Sequence, residues 1–211
     1  MRKAAPLAAL AATALTLSAC AQSERDDSGS GGDAEGTFTF GAAGAPEVFD
    51  PFYASDGETF RVTRQIFEGL VEVEEGSSEI GPGLAEKWEP SEDGKTWTFT
   101  LREGVKFSDG ETLDAQAVCD NFERMADQNE TAQAGPAEYW AYSMEGFGDD
   151  SLYRSCEASD EQTVVLKIAR ATSKFPAMLS LSAFGIQSPK ALEEGKANDV
   201  KKQGEGFAIT R

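Results

Sequence analysis

Histidine is absent from all 211 residues. Its absence excludes Ser-His-Asp and Cys-His nucleophilic systems and every zinc site built with imidazole. Positive charge is scarce: 19 Lys and Arg stand against 37 Asp and Glu, a net charge of −18. Nucleic-acid affinity comes mainly from clustered positive charge, so this balance argues against a nucleic-acid partner. It argues equally against a polybasic hold on anionic lipid. No glycine-rich phosphate cradle, CxxC pair or metal-ligand cluster is present, so neither a cofactor nor a metal is expected. No apolar run reaches the roughly 20 residues that a membrane span requires. Carboxylate-pair hydrolysis is an enzyme class that survives these filters, since it needs only Asp or Glu. With 37 acidic residues, any pairing chosen from sequence is arbitrary. No catalytic set is assigned.

What is present begins with an export pattern. Arg2 and Lys3 form a short basic start, and residues 7–19 are apolar or small. That length fits the apolar region of a signal peptide. It ends in "LSAC", which resembles the bacterial lipoprotein cleavage box. The resemblance implies removal of residues 1–19 and lipidation of Cys20. The alternative is an ordinary signal peptide with a chance cysteine. Residues 20–36 continue as "CAQSERDDSGSGGDAEG", rich in Gly, Ser and acid. Such a stretch cannot bury enough surface to fold and reads as a flexible tether. Signal, anchor and tether together place the remainder outside the cell membrane, held to its outer face.

Cys119 and Cys156 remain after Cys20. In an oxidising compartment a disulfide between them is the default, and two free buried thiols are the alternative. Closing a loop of this size stabilises by about 4 kcal/mol in the chain-entropy picture.

The globular part is a mixed α/β pattern. "TFTFG", residues 37–41, reads as a short strand. Asp56 is placed to cap a helix over about residues 58–69, with Phe60, Thr63 and Phe67 on one face. "LAEKWEP", "SEDGK" and "TWTFTL" form a hairpin. Asp93-Gly94 supplies its turn, and Trp97, Phe99 and Leu101 alternate with threonines. Thr112 or Asp114 caps a second helix ending near Asp127, with Val118, Phe122 and Met125 as its core stripe. Residues 128–157 read as a long irregular segment bearing Tyr139, Trp140 and Tyr142. Those aromatics line a pocket or pack the loop down. Residues 163–168 alternate as a strand, residues 175–181 are apolar and helical, and Ser188-Pro189 opens a further helix.

Several of these stretches occur together in a known pattern. "LAEKWEPSEDGKTWTFTLREGVKFSDGETLDAQAVCDNFERM" resembles the signature region of the family 5 extracellular solute-binding proteins. These are the oligopeptide-, dipeptide- and nickel-binding components of ABC importers. "FDPFYASDGETFRVTRQIFEGLV" and "FGIQSPKAL" resemble flanking motifs of that family. "GEGF" resembles a later one, with Glu205 and a missing proline as departures.

The resemblance implies a type 2 periplasmic-binding-protein fold, in which two lobes close over a ligand and dock on a permease. It implies that residues 37–211 are the N-terminal part of the first lobe, with a smaller subdomain over about residues 75–200 and the second lobe missing. The segment Phe52, Tyr53, Ala54, Ser55 and Asp56 is then expected to face the cleft, with Tyr139 and Trp140 as further ligand candidates. The expected partners are a peptide or other small solute, the permease subunits, and the membrane through the lipid. A sensory or decoy lipoprotein that has lost transport is the competing binding-module reading. An exported carboxylate hydrolase is the enzyme reading.

Overall fold

The structure is a computed structural model that describes residues 39–194, 200–203 and 206–209. The signal segment, Cys20 and the acidic tether all lie outside the described residues. The chain divides into two compact units, Met1–Gly41 and Ala42–Arg211. In the first unit, residues 39–41 form no strand. Glycines and alanines at 41–44 leave little side chain to pack on a pleated surface. Every element described below belongs to the second unit.

Helix α1 (Gly57–Thr63) starts where Asp56 accepts hydrogen bonds from the amides of Glu58 and Thr59. It ends six residues before the expected Gly69. Beyond Thr63 three-residue bonds enter, Gln65 N–H to Val62 O and Ile66 N–H to Thr63 O, and the last four-residue bond is Phe67 N–H to Thr63 O. The carbonyl of Glu68 then accepts from the amide of Ile186, so this stretch pairs sideways instead of continuing the helix. Strands β1 (Val71–Val73) and β2 (Ile80–Pro82) form an antiparallel pair. At the crossing that follows, a Cβ on Gly83 would lie 2.5 Å from the carbonyl oxygen of Gly69, so only glycine fits.

β3 (Ala85–Pro90) and β4 (Thr96–Leu101) make the expected hairpin, turning at Gly94 with φ +65°. Trp97, Phe99 and Leu101 are buried and the intervening threonines are half-buried. Helix α2 (Ala115–Ala126) is capped by the Asp114 carboxylate accepting from the Ala117 amide. The segment after it is less irregular than its sequence suggests. It holds two short helices, α3 (Glu130–Gln133) and α4 (Glu138–Ser143). Strand β5 (Tyr153–Ala158) follows and pairs with β6 (Thr163–Ile168). Helices α5 (Phe175–Leu179) and α6 (Pro189–Glu194) come next, and β7 (Val200–Gln203) pairs with β8 (Gly206–Ile209).

The main sheet is fully antiparallel in the order β3-β4-β6-β5. Trp97 lies opposite Leu166, and Phe99 opposite Val164. Period-2 alternation in both strands therefore builds one continuous apolar face. Helix α2 covers that face with Val118, Phe122 and Met125, all at most 1% exposed. A disulfide joins Cys119 of α2 to Cys156. Cys156 sits within β5 and not in a loop before it, so the bridge staples helix to sheet directly.

Candidate functional site

Residues 50–56 leave the Asp50-Pro51 turn as a 3-10 turn (Pro51–Tyr53) followed by the α1 cap. Asp50 begins the turn by accepting from the Phe52 amide at 3.1 Å. That geometry rotates the next side chains inward. Phe52, Tyr53 and Ala54 are 1%, 4% and 0% exposed. Their side chains serve the core, against the expectation that this stretch turns them to a cleft. The physical reason lies in Arg124 of α2, whose guanidinium carbon stands 5.2 Å from the ring centres of both Phe52 and Tyr53. Ser55 is exposed and Asp56 half-buried, so of these five residues only those two present side chains to solvent.

A buried polar network fixes the segment. Arg124 pairs with Asp50, both almost fully enclosed. Gln187 Nε2 donates to the same carboxylate at 3.0 Å. Asn121 donates to the carbonyl of Gln187 and accepts from its amide, at 2.8 and 2.9 Å. The Tyr53 hydroxyl donates to Gln128, which donates in turn to the carbonyl of Arg124. Burial pushes the pKa of the Tyr53 phenol above its ordinary value, with the nearby Arg124 opposing. Three segments distant in sequence are thereby held in one register. Sequence reasoning missed Asn121, Arg124 and Gln187 as buried residues. The signal was faint: Arg124 stands between Phe122 and Met125, at the margin of the apolar stripe.

The aromatic candidates separate. Trp140 is 1% exposed and meets Phe52, Tyr153, Phe184 and Phe147 at ring-centre distances of 5.4 to 6.4 Å. It is a core residue, enclosed because α4 lays this face against the Pro51–Tyr53 turn. Tyr139 is half-buried and packs edge-on to Phe60 at 5.2 Å. Tyr142, on the outer face of α4, is 87% exposed.

An open cleft of about 610 Å³ lies between residues 64–68, the turn at 105–109 and residues 186–191. Arg64, Glu68, Lys106, Asp109 and Lys190 supply its charge. The Ser188 hydroxyl donates to Asp109 at 2.5 Å. That bond, with the Glu111 amide second, holds the Asp109 carboxyl below its ordinary range. Gln187 lines this cleft while bonding Asp50, so the cleft wall and the buried network share a residue. Among the described residues no cluster of His, Cys, Asp or Glu has metal-ligand geometry. What the arrangement offers is a cleft lined by polar groups of both signs.

Comparison with known proteins places this geometry in a family. The sequence pattern described as "Bacterial extracellular solute-binding proteins, family 5 Middle" matches residues 79–208. Di/tripeptide-binding protein 1 of Pseudomonas aeruginosa is 34% identical over 176 residues, which is 78% of this chain and 32% of that protein. Heme-binding protein A of Haemophilus influenzae is 30% identical over 191 residues, 85% of this chain and 35% of that protein. A dipeptide-binding protein from Pseudoalteromonas, solved in complex with Met-Leu, superposes with a TM-score of 0.62 at 28% identity. That match covers 75% of this chain and 32% of that one. The chain spans about a third of the length of the curated relatives it matches. Its mixed α/β fold is that of part of these binding proteins, a family of solute binders and not of enzymes. The chain belongs to the bacterial extracellular solute-binding proteins, family 5.

Proposed function

We propose that this chain furnishes the N-terminal part of the first lobe of a type 2 periplasmic-binding-protein architecture, its subdomain being the four-stranded sheet with α2. In a protein of family length it captures a di- or tripeptide outside the cell membrane and delivers it to an ABC permease. The observation that carries this reading is the family match over residues 79–208, together with the likeness to a dipeptide-bound structure. Ser55, Asp56 and the main chain of residues 52–54 form part of the ligand-facing rim, with Tyr139 beside them. Extended peptides are held largely by main-chain pairing, so a rim whose side chains face the core still serves. Cys20 carries the lipid anchor, and the acidic stretch to residue 36 is the tether.

The test is a chimera joining this chain to the remaining two-thirds of the Pseudomonas relative. Peptide at a hundredfold excess over Kd should stabilise the chimera by about 2.7 kcal/mol, read as a thermal shift. The reading fails if no di- or tripeptide pool shifts the chimera, or if hemin alone does. Cys20→Ser should release the exported protein from the membrane fraction. Retention of that variant in the membrane would remove the anchor.

A further inference from the structure

A smaller cavity of about 260 Å³ lies between the end of α2, Trp140 of α4 and residues 148–154. None of residues 50–56 lines it, so it is separate from the ligand-facing rim proposed above. Trp140 is 1% exposed, yet its indole N–H finds no acceptor among the described residues. Buried donors are nearly always paired, and one left unpaired beside a cavity points to an acceptor brought from outside. The rings of Trp140 and Tyr153, with centres 5.4 Å apart, supply an apolar wall around that donor.

The solvent side of the cavity carries charge of both signs. Asp149 and Arg154 line it and are exposed. Their charged groups do not pair with each other. Arg154 Nη2 donates to the main-chain carbonyl of Asp149 at 3.0 Å, and Nη1 donates to the carbonyls of Ser151 and Tyr153. Three backbone carbonyls thus fix the guanidinium at the cavity, and among the described residues neither side chain forms an ion pair. A buried donor with a cation and an anion beside it calls for a carboxylate and an ammonium on one ligand. A simple carboxylate would have to approach a chain of net charge −18, whereas a zwitterion has no net charge to be repelled. The volume falls below the roughly 300 Å³ at which pockets for drug-sized ligands begin, so the ligand is small.

We propose that this cavity binds a single free α-amino acid with a small side chain. Its carboxylate accepts from the Trp140 indole N–H and the Arg154 guanidinium. Its ammonium faces Asp149, and its side chain lies against Ala126 and Tyr153. The site does not depend on the peptide reading and stands if that reading fails.

The experiment follows the indole N–H signals of the three tryptophans of the full chain by nitrogen–proton correlation NMR during titration with alanine. Trp140→Phe identifies the Trp140 signal. The expected result is that this signal moves downfield and saturates, while those of Trp88 and Trp97 stay in place. Trp97 is the internal control, since its N–H is also buried without an acceptor among the described residues but does not line this cavity. Arg154→Gln and Asp149→Asn should each weaken binding about tenfold or more. Ala126→Leu, which fills the cavity, should abolish the shift. Acetate and methylammonium, each carrying one of the two charges, should bind about tenfold or more weakly than alanine. Circular dichroism must show each variant folded like the parent. Should Arg154→Gln not be, because it releases three carbonyls, Asp149→Asn decides, since that carboxylate makes no hydrogen bond among the described residues. A Trp140 signal unmoved by alanine overturns the proposal and leaves the N–H to a water. Acetate binding as tightly as alanine overturns it in favour of a plain carboxylate site, and equal movement of the Trp97 signal overturns it as well.

Discussion

Two regions of the second unit are built to different standards of closure. Around the four-stranded sheet, strands β4 and β6 bury every second side chain, α2 covers them, and a disulfide ties the layers. Around residues 64–73 and 180–186, Phe67 is only half-buried, Ile66 and Val73 stand open, and two grooves remain. The second is the richer of the two in Val, Ile, Leu and Phe. What decides closure is the supply of partners. The first region finds within this chain the helix that its apolar face needs. The second presents Ile66 and Val73 on the outside, uncovered by any described element. Apolar content alone does not make a core; a complementary layer must arrive as well.

The sharpest way to break the first region is to remove its centre. Phe122 touches Tyr153 and Phe184 and is 1% exposed. Phe122→Ala should cost about 3–5 kcal/mol in denaturant unfolding. Arg124→Ala should cost a similar 3–5 kcal/mol, because it leaves the Asp50 carboxylate buried without its cation. Arg124→Ala with Asp50→Asn should recover part of that loss, and equal losses for single and double variants would contradict a coupled pair. Opening the staple with Cys119→Ser and Cys156→Ser should cost about 4 kcal/mol. At the boundary between the regions, Asp56→Ala removes the α1 cap and should cost about 1 kcal/mol. In the open region, Ile66→Ser and Val73→Ser should stay within about 0.5 kcal/mol of the parent. Losses near those of Phe122→Ala would mean the face is already part of the core.

Titration gives the smallest effect and bears on the groove wall. Asp109 is held below the usual carboxyl value by the Ser188 hydroxyl. A lowered folded-state value contributes stability above the unfolded value, and this is lost as pH falls through the folded one. The Ser188–Asp109 contact should therefore persist at neutral pH and weaken only in acid below the ordinary carboxyl range. Carboxyl NMR should show the Asp109 midpoint rising in Ser188→Ala. An unchanged midpoint would mean that the hydroxyl is not the cause. In the closed region, burial pushes Tyr153 up to about 12, with Glu123 adding to the rise.

The same contrast explains what could be read in the sequence. The hairpin at Asp93-Gly94, the β4 alternation and the α2 stripe were legible because their signals are local: a turn dipeptide, a period of 2 and a period near 3.6. The family resemblance extended over the same stretches. The inward turn of Phe52 and Tyr53 was not legible, because it depends on Arg124, 74 positions from its Asp50 partner. Trp140 illustrates the same limit. Nothing near it in sequence distinguishes an aromatic that lines a pocket from one that closes a core, and here Phe52, Tyr153 and Phe184 enclose it. The early end of α1 followed from a pairing between Glu68 and Ile186 that no local pattern announces.

Native-state amide exchange on the purified chain tests the contrast most directly. The amides of Phe99, Phe122, Val164 and Leu166 should exchange only with global unfolding, while residues 64–68 and Val71–Val73 exchange through local opening orders of magnitude faster. Uniform slow exchange across both regions would contradict the claim that this chain closes one region and leaves the other open.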